Sequence, residues 1–377
     1  MAISPAGEEA RLSTRLAFFV AGFGMAAWAP LVPFVKARCA LGEGLLGLLL
    51  LCLGTGSILA MPMAGMLARR FGCRDVVIAT AGLICFALPV LATTSNIGVL
   101  AIALFFFGAG LGSVDCVVNI QAVIVERASG RPLMSGFHGW FSIGGIAAAA
   151  GVSLLLSLGA MPLEAAICVV ATMIAVMVKA GPNLLPHGGE GAGSTLAIPR
   201  GIVLFIGVLC FIVFMAEGSV LDWSAVFLTS VRHVVPAHAG LAYAAFAATM
   251  TLARLAGDGV VHRLGGKRVV ILGGLCAAAG LCVATLIPSW QAAILGYALL
   301  GLGCANIIPV LYTAVGRQNV MPEHIAVPAI TTLGYAGILA GPALIGFIAS
   351  ATTLSLGLLT VAALLVGVAI SGRFLRI

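Results

Sequence analysis

The chain has 377 residues, of which 62% are hydrophobic and only 8% charged, and its mean hydropathy is +1.20. A soluble domain carries about 25% charged residues, so these figures exclude a soluble globular protein and point to a polytopic membrane protein. The net charge of +7 is no signal of nucleic-acid binding, because the basic residues punctuate apolar runs and form no single basic segment.

Apolar runs of spanning length, bounded by charges, Gly or Pro, predict twelve transmembrane helices. In chain order their cores are Thr14–Val35, Leu45–Leu67, Val76–Thr93, Ile97–Val125, Ser135–Leu158, Leu163–Val178, Gly201–Ser230, Ala239–Val261, Val269–Ile287, Ala292–Val315, Ile325–Ala349 and Leu354–Ser371. The first follows Arg11 and Arg15 and has no convincing cleavage site, so it reads as a retained helix. The ten cysteines are scattered without CxxC or Cys/His spacing, so neither disulfides nor a metal site is expected, and no cofactor motif is present.

Charge sets the orientation. With the N-terminus in the cytoplasm, fifteen of the 19 Lys and Arg fall on the cytoplasmic side. Lys36, Arg38 and Arg232 fall outside, and Arg254 lies within a span. Both termini are therefore expected to be cytoplasmic. The Gly- and Pro-rich stretch Gly181–Arg200 reads as a linker, dividing the chain into halves 1–180 and 201–377. The halves repeat at offsets of 191 to 193: Arg70-Phe71-Gly72 matches Arg263-Leu264-Gly265, and Gly145-Ile146 matches Gly337-Ile338. In the fourth and tenth runs, Gly110, Gly112 and Asp115 align with Gly301, Gly303 and Asn306, and Glu126 aligns with Arg317. The duplication is thus asymmetric at its polar midpoint. Asp115 lies roughly 16 Å along the helix from Glu126, about half the thickness of a hydrocarbon core.

Parallel six-helix repeats of this kind resemble the major facilitator superfamily, over nearly the whole chain. The segment Gly65–Arg74 looks like its cytoplasmic signature, with Arg69 where that signature has an Asp. The second copy keeps an acid, Asp258, ahead of Arg263. Asp115-x-x-x-Asn119, Glu126-Arg127, the run from Arg131 to Gly145 and Glu217-Gly-Ser-Val-Leu-Asp222-Trp223-Ser224 resemble the rhizopine-permease-like branch of bacterial inner-membrane permeases. The resemblance implies an all-α integral membrane protein of two pseudo-symmetric six-helix halves, with a solute site near the midplane.

Polar residues inside the spans are the candidate functional groups, since intramembrane acids mark pathways or partners. Asp115 and Asn119 share a helix face, as a proton or solute site or as a hydrogen-bonded pair. His138 either titrates or is held by a neighbour. Glu217 is a candidate proton carrier, or a partner for a backbone break at Gly218. Asp222 is expected near the outer surface. Arg254 and Asp258, one turn apart, are expected to form an ion pair, as a cytoplasmic gate or a packing element, with solute contact by Arg254 as the lesser alternative; Arg70, Arg74, Glu126, Arg127, Arg263 and Arg317 are the other expected gate residues. Trp28 with Pro30 and Pro33 combines an aromatic platform with helix-breaking residues, with Trp140 as its counterpart in the fifth run; the alternative for either Trp is simple packing or an interfacial anchor. Gly341-Pro342 is expected to break the eleventh.

The function these features predict is secondary active transport of a small polar or amphiphilic solute by alternating access, coupled to a proton or another ion. Trp28, Asn119, Trp140, Glu217 and Asn306 are the expected solute contacts. Asp115, Glu217 and His138 are the coupling candidates. An efflux carrier of the same fold and a transporter-like nutrient sensor are the alternatives. An enzyme is not expected, because no nucleophile–base or metal constellation occurs. The chain is read as a monomer in the lipid bilayer, with no nucleic-acid partner.

Overall fold

The structure is a computed structural model that describes residues 7–189, 198–235 and 238–375. Every regular element among them is helical, as the bilayer requires of a backbone that must satisfy its own polar groups. The elements are α1 (Glu8–Ala26), α2 (Val32–Arg38), α3 (Glu43–Phe71), α4 (Cys73–Thr93), α5 (Ile97–Ser129), α6 (Met134–Ser157), α7 (Pro162–Ala180), α8 (Ile202–Ser230), α9 (Leu241–Leu264), α10 (Gly266–Leu286), α11 (Trp290–Cys304), α12 (Ile307–Arg317), α13 (Glu323–Ala351) and α14 (Leu354–Ser371). Eleven segments among the described residues are long and apolar enough to span a membrane, Glu8–Arg38 and Trp290–Arg317 each counting as one broken span. The twelfth, α9, has 24 residues and carries Arg254, Asp258 and Arg263.

The chain forms two compact units. The first comprises residues 1–130, 137–197 and 322–328, and the second 131–136, 198–321 and 329–377. The boundaries differ from the simple halves read from sequence: the start of α6 belongs to the second unit and the start of α13 to the first. In the first unit α5 packs against α1, α3 and α4. Its glycines allow this approach: a Cβ on Gly108 would collide with the backbone of Leu53, and one on Gly56 with the backbone of Phe105. Small residues at such crossings let helix backbones touch where lipid supplies no hydrophobic drive. In the second unit α10 packs on α11 and α14, and α9 on α11.

The sequence repeat has structural causes. Gly72 and Gly265, at φ +89° and +78°, each make the one-residue turn between two spans. Such a left-handed backbone is cheap only for glycine. Asn96 caps α5 by accepting the Val99 N–H at 3.1 Å, and Ser289 caps α11 by accepting the Ala292 N–H at 3.4 Å. Two of the three basic residues expected outside are also explained. Arg38 donates to the carbonyls of Leu91, Ala92 and Thr94 at 2.8, 2.5 and 3.0 Å, at the end of α4. Arg232 donates to those of Ala284 and Thr285 at 2.9 and 2.8 Å, at the end of α10, and lies over the Phe227 ring. Both occupy helix C-termini, where orphan carbonyls and the dipole favour a cation. Arg232→Ala is expected to cost about 1.5–3 kcal/mol, the range for hydrogen bonds to charged groups. Arg232→Lys should recover only part of that, since it lacks the planar fork. Thermal unfolding of the two variants in detergent checks the order.

Three sequence expectations change. Pro342 does not break its span: α13 is continuous through it. The Ile338 carbonyl that Pro342 cannot serve lies 3.3 Å from the Cβ position of Gly218, so helices meet closely there. The backbone likewise continues through Gly218, and α8 has no break. The linker is not wholly loose. The Leu185 carbonyl accepts from Arg74 N–H at 2.9 Å, and the Leu185 N–H donates to Gln121 Oε1 at 3.2 Å. Positions 190–197 of the linker lie outside the described residues.

Candidate functional site

Two spans are interrupted. In the first, Pro30 and Pro33 lack amide donors, and the chain rewinds as a short 3-10 turn, Ala29–Leu31, between α1 and α2. This is the break expected beside Trp28. Trp28 is 6% exposed, its ring lies 6.3 Å from that of Phe107, and its buried Nε1 has no hydrogen-bond partner.

The second interruption, between α11 and α12 at Ala305 and Asn306, was not read from the sequence. Its signal was Pro309. Proline cannot serve the carbonyl four residues back, which is that of Ala305. Arg254 of α9 takes that carbonyl instead, its Nε donating at 3.2 Å. In return Asn306 Nδ2 donates to the Ala253 carbonyl at 3.1 Å. Gly257 makes this exchange possible, since a Cβ there would collide with Asn306 Oδ1 and lie 2.5 Å from Ser135 Cβ. Glu217 of α8 reaches the same place, with Oε1 3.6 Å from Arg254 Nη2 and the two side chains 16% and 8% exposed. Sequence spacing paired Arg254 with Asp258. The structure adds a carboxylate from another helix, which no local pattern could supply.

The other candidates sit in the first unit. Asn119 is fully buried and donates through Nδ2 to the Asp115 carbonyl oxygen at 2.9 Å and to Asp115 Oδ1 at 3.4 Å. The shared helix face is therefore a bonded pair within α5. His138 is 7% exposed with its ring 5.3 Å from that of Phe18. Trp140 is half-buried, edge-on to Phe19. Trp28, Asn119 and Trp140 thus belong to the first unit, and Glu217 and Asn306 to the second.

The chain is 54% identical over 373 residues to an MFS-type transporter of Yersinia pestis, covering 99% of this chain and 97% of that one. The chain belongs to the major facilitator superfamily. It is also 31% identical over 360 residues to the membrane protein MosC of Rhizobium meliloti, covering 95% and 88% of the two chains, which agrees with the rhizopine-related branch. Among solved structures, the fucose:proton symporter FucP of E. coli has the same fold, at TM-score 0.80 and 16% identity over 97% of this chain and 98% of that one. A comparison with family models finds no match.

Within the superfamily pattern, the two signature segments are wired differently here. Asp258 Oδ1 accepts the backbone N–H of Gly136 at 2.9 Å, in the first turn of α6. A carboxylate suits a helix N-terminus. The first signature has Arg69 in place of an acid. There the acid comes from α13 itself, and Glu323 pairs with Arg127 of α5. Sequence reasoning missed Glu323, although Pro322 followed by an acid is a helix-start pattern. Gly65 packs on the backbone of the buried His324 in the same turn. Glu126 is 6% exposed, whereas Arg70, Arg74, Arg263 and Arg317 are exposed. The first signature itself carries no acid at this place, and the carboxylate near it is supplied by α13. Asp258→Ala removes the acceptor at the start of α6, where Ser135 is 2% exposed. It is expected to raise cytoplasmic thiol labelling of a Ser135→Cys probe several-fold, on a background without native thiols. Arg69→Ala should leave that labelling unchanged.

Proposed function

We propose that this superfamily member is a secondary active transporter of the bacterial inner membrane, moving a small polar solute by alternating access with a proton as the coupling ion. The observation that supports it best is the Glu217–Arg254 ion pair at an interrupted span. Ionisable groups inside a membrane are costly and mark ion or substrate paths, and discontinuous helices supply the backbone groups such paths use. Protonation of Glu217 removes its attraction to Arg254. That changes the relative stability of any two conformations in which the pair differs, and a solute with differential affinity biases the same equilibrium. The likeness to a fold whose solved member is described as a proton symporter supports the coupling ion. Asp115 is the second coupling candidate, and Trp28, Asn119 and Trp140 are the first unit's candidates for solute contact.

The test is reconstitution into proteoliposomes containing a pH-sensitive dye, with sugars, polyols, amines and organic acids added in turn. The expected result is proton movement dependent on one class of solute. Solute flux without proton movement would retain the carrier and remove the coupling ion. Solute binding without flux would make the protein a sensor. Reporter fusions at Gly189 and at the C-terminus should both be active with a cytoplasmic reporter, as the Lys/Arg asymmetry requires.

A further inference from the structure

We propose that the interruption between α11 and α12 is a binding site for a small hydroxycarboxylate, in which Glu217 stands as the internal competitor that the substrate's carboxylate displaces from Arg254. The proposal rests on the coupling role given above to the Glu217–Arg254 pair, and it names the substrate class that role implies.

Three observations converge on the site. The first is the ion pair. At 3.6 Å it is looser than the 2.7–2.9 Å of a charge-assisted hydrogen bond, and Glu217 Oε1 is buried without a hydrogen-bond partner. A carboxylate held this loosely is readily exchanged for another that can dock in the bidentate geometry arginine favours. The exchange needs no vacant donor on Arg254, because one carboxylate leaves as the other arrives. The second is the helix start. The 11-residue α12 follows directly on Asn306, its N-cap, and the N-terminus of a half-helix inside a membrane favours an anionic group. The third is Asn306 itself, 7% exposed, with Nδ2 bonded to Ala253 and Oδ1 buried without a partner. An orphaned buried acceptor calls for a donor. Arg254 is bonded to the residue next to it, Ala305, so one small molecule can present a carboxylate to the guanidinium and a hydroxyl to the amide oxygen.

The surroundings of Glu217 make the exchange responsive to pH. Arg254 from α9 faces it, and Tyr243 from α9, Cys304 from α11 and Cys210 from its own helix lie within reach of its charge. The neighbouring α14 has no charged residue, α12 has only Arg317 at its far end, and α13 has only Glu323 and His324, in its first turn. Among the described residues, Arg254 is thus the one fixed opposite charge Glu217 meets. A proton on Glu217 weakens its hold, and the substrate anion takes its place.

The experiment measures thermal stabilisation of the full-length protein in detergent at pH 6 and pH 8.5. The probes are lactate and glycerate, with propionate, lactamide, mannitol and choline for comparison. The expected result is stabilisation by lactate or glycerate, at least tenfold tighter at pH 6, with propionate weaker and lactamide silent. Glu217→Gln should bind the hydroxycarboxylates equally at both pH values, at least tenfold tighter than the wild-type protein at pH 8.5. Asn306→Asp should lose them. Stabilisation by mannitol, choline or lactamide in place of the acids overturns the proposal, as does acid binding that does not weaken with rising pH. The wild-type arms decide this even where a variant fails to fold. Proton flux driven by a neutral solute would leave the transport reading standing and remove this one. Hydroxycarboxylate binding without proton flux in liposomes would leave the site and remove the coupling.

Discussion

Glu217→Gln is expected to lower uphill accumulation of the transported solute at least tenfold, while exchange down a gradient persists. Glutamine keeps the shape of the side chain and loses its charge, so Arg254 keeps the Ala305 carbonyl and loses the carboxylate 3.6 Å away. Breaking a buried pair by removing one partner commonly costs about 3–5 kcal/mol. The accessible edge of Glu217 places the expected cost toward the lower end. Even so it is enough to redistribute conformations that differ by a few kcal/mol. Accumulation in proteoliposomes under an imposed pH gradient, with the solute found in the flux screen, is the measurement. Asp115→Asn is expected to have a smaller effect, because its carboxylate already shares a helix face with the Asn119 amide. A Glu217→Gln protein that accumulates solute with unaltered pH dependence would return the coupling role to Asp115.

The second large effect is on folding. Gly108→Val prevents the docking of α5 on α3, because the new Cβ would overlap the backbone of Leu53, which has no rotamer to change. Overpacking costs about 1–3 kcal/mol where side chains can adjust. A clash with a helix backbone inside a crossing belongs at or above the upper limit. Folded yield should fall severalfold on size-exclusion chromatography of detergent extracts. Gly82→Ala, where nothing lies within 4 Å of the added Cβ, should be neutral or mildly stabilising, as expected for alanine in a helix. Equal losses in both variants would mean that α4 and α5 tolerate no substitution at all, and that close packing at Gly108 is not the cause.

The architecture was legible because it rests on local or periodic signals. Apolar run lengths, the matched Gly72 and Gly265 turns and the interruption at Pro30 and Pro33 are each written within a few residues. The site was legible only in its members. Arg254, Glu217 and Asn306 were singled out as polar groups in apolar runs, but their association is tertiary. A helix-spacing argument finds the acid one turn away and has no access to one on a neighbouring span. The α11–α12 interruption was missed for a related reason. Pro309 carries the signal, but other prolines in this chain, Pro62, Pro89 and Pro342, sit inside continuous helices. What distinguishes Pro309 is a guanidinium from another helix waiting for the released carbonyl. Glu323 was missed because the signature suggested where to look for an acid, and the acid lies on the opposite partner.

The arginine clamps at the ends of α4 and α10 bear on biogenesis. In the topology expected from the charge pattern, Arg38 and Arg232 are two of the three basic residues that oppose the bias orienting the chain during insertion. Once folded, each is bound to the carbonyl groups of a helix terminus and is no longer a free surface charge. Selection for faithful insertion and selection for a stable fold therefore pull in opposite directions at these two positions. Replacing either arginine strengthens the topological signal and removes a helix lock, so membrane integration and thermal stability should part company there.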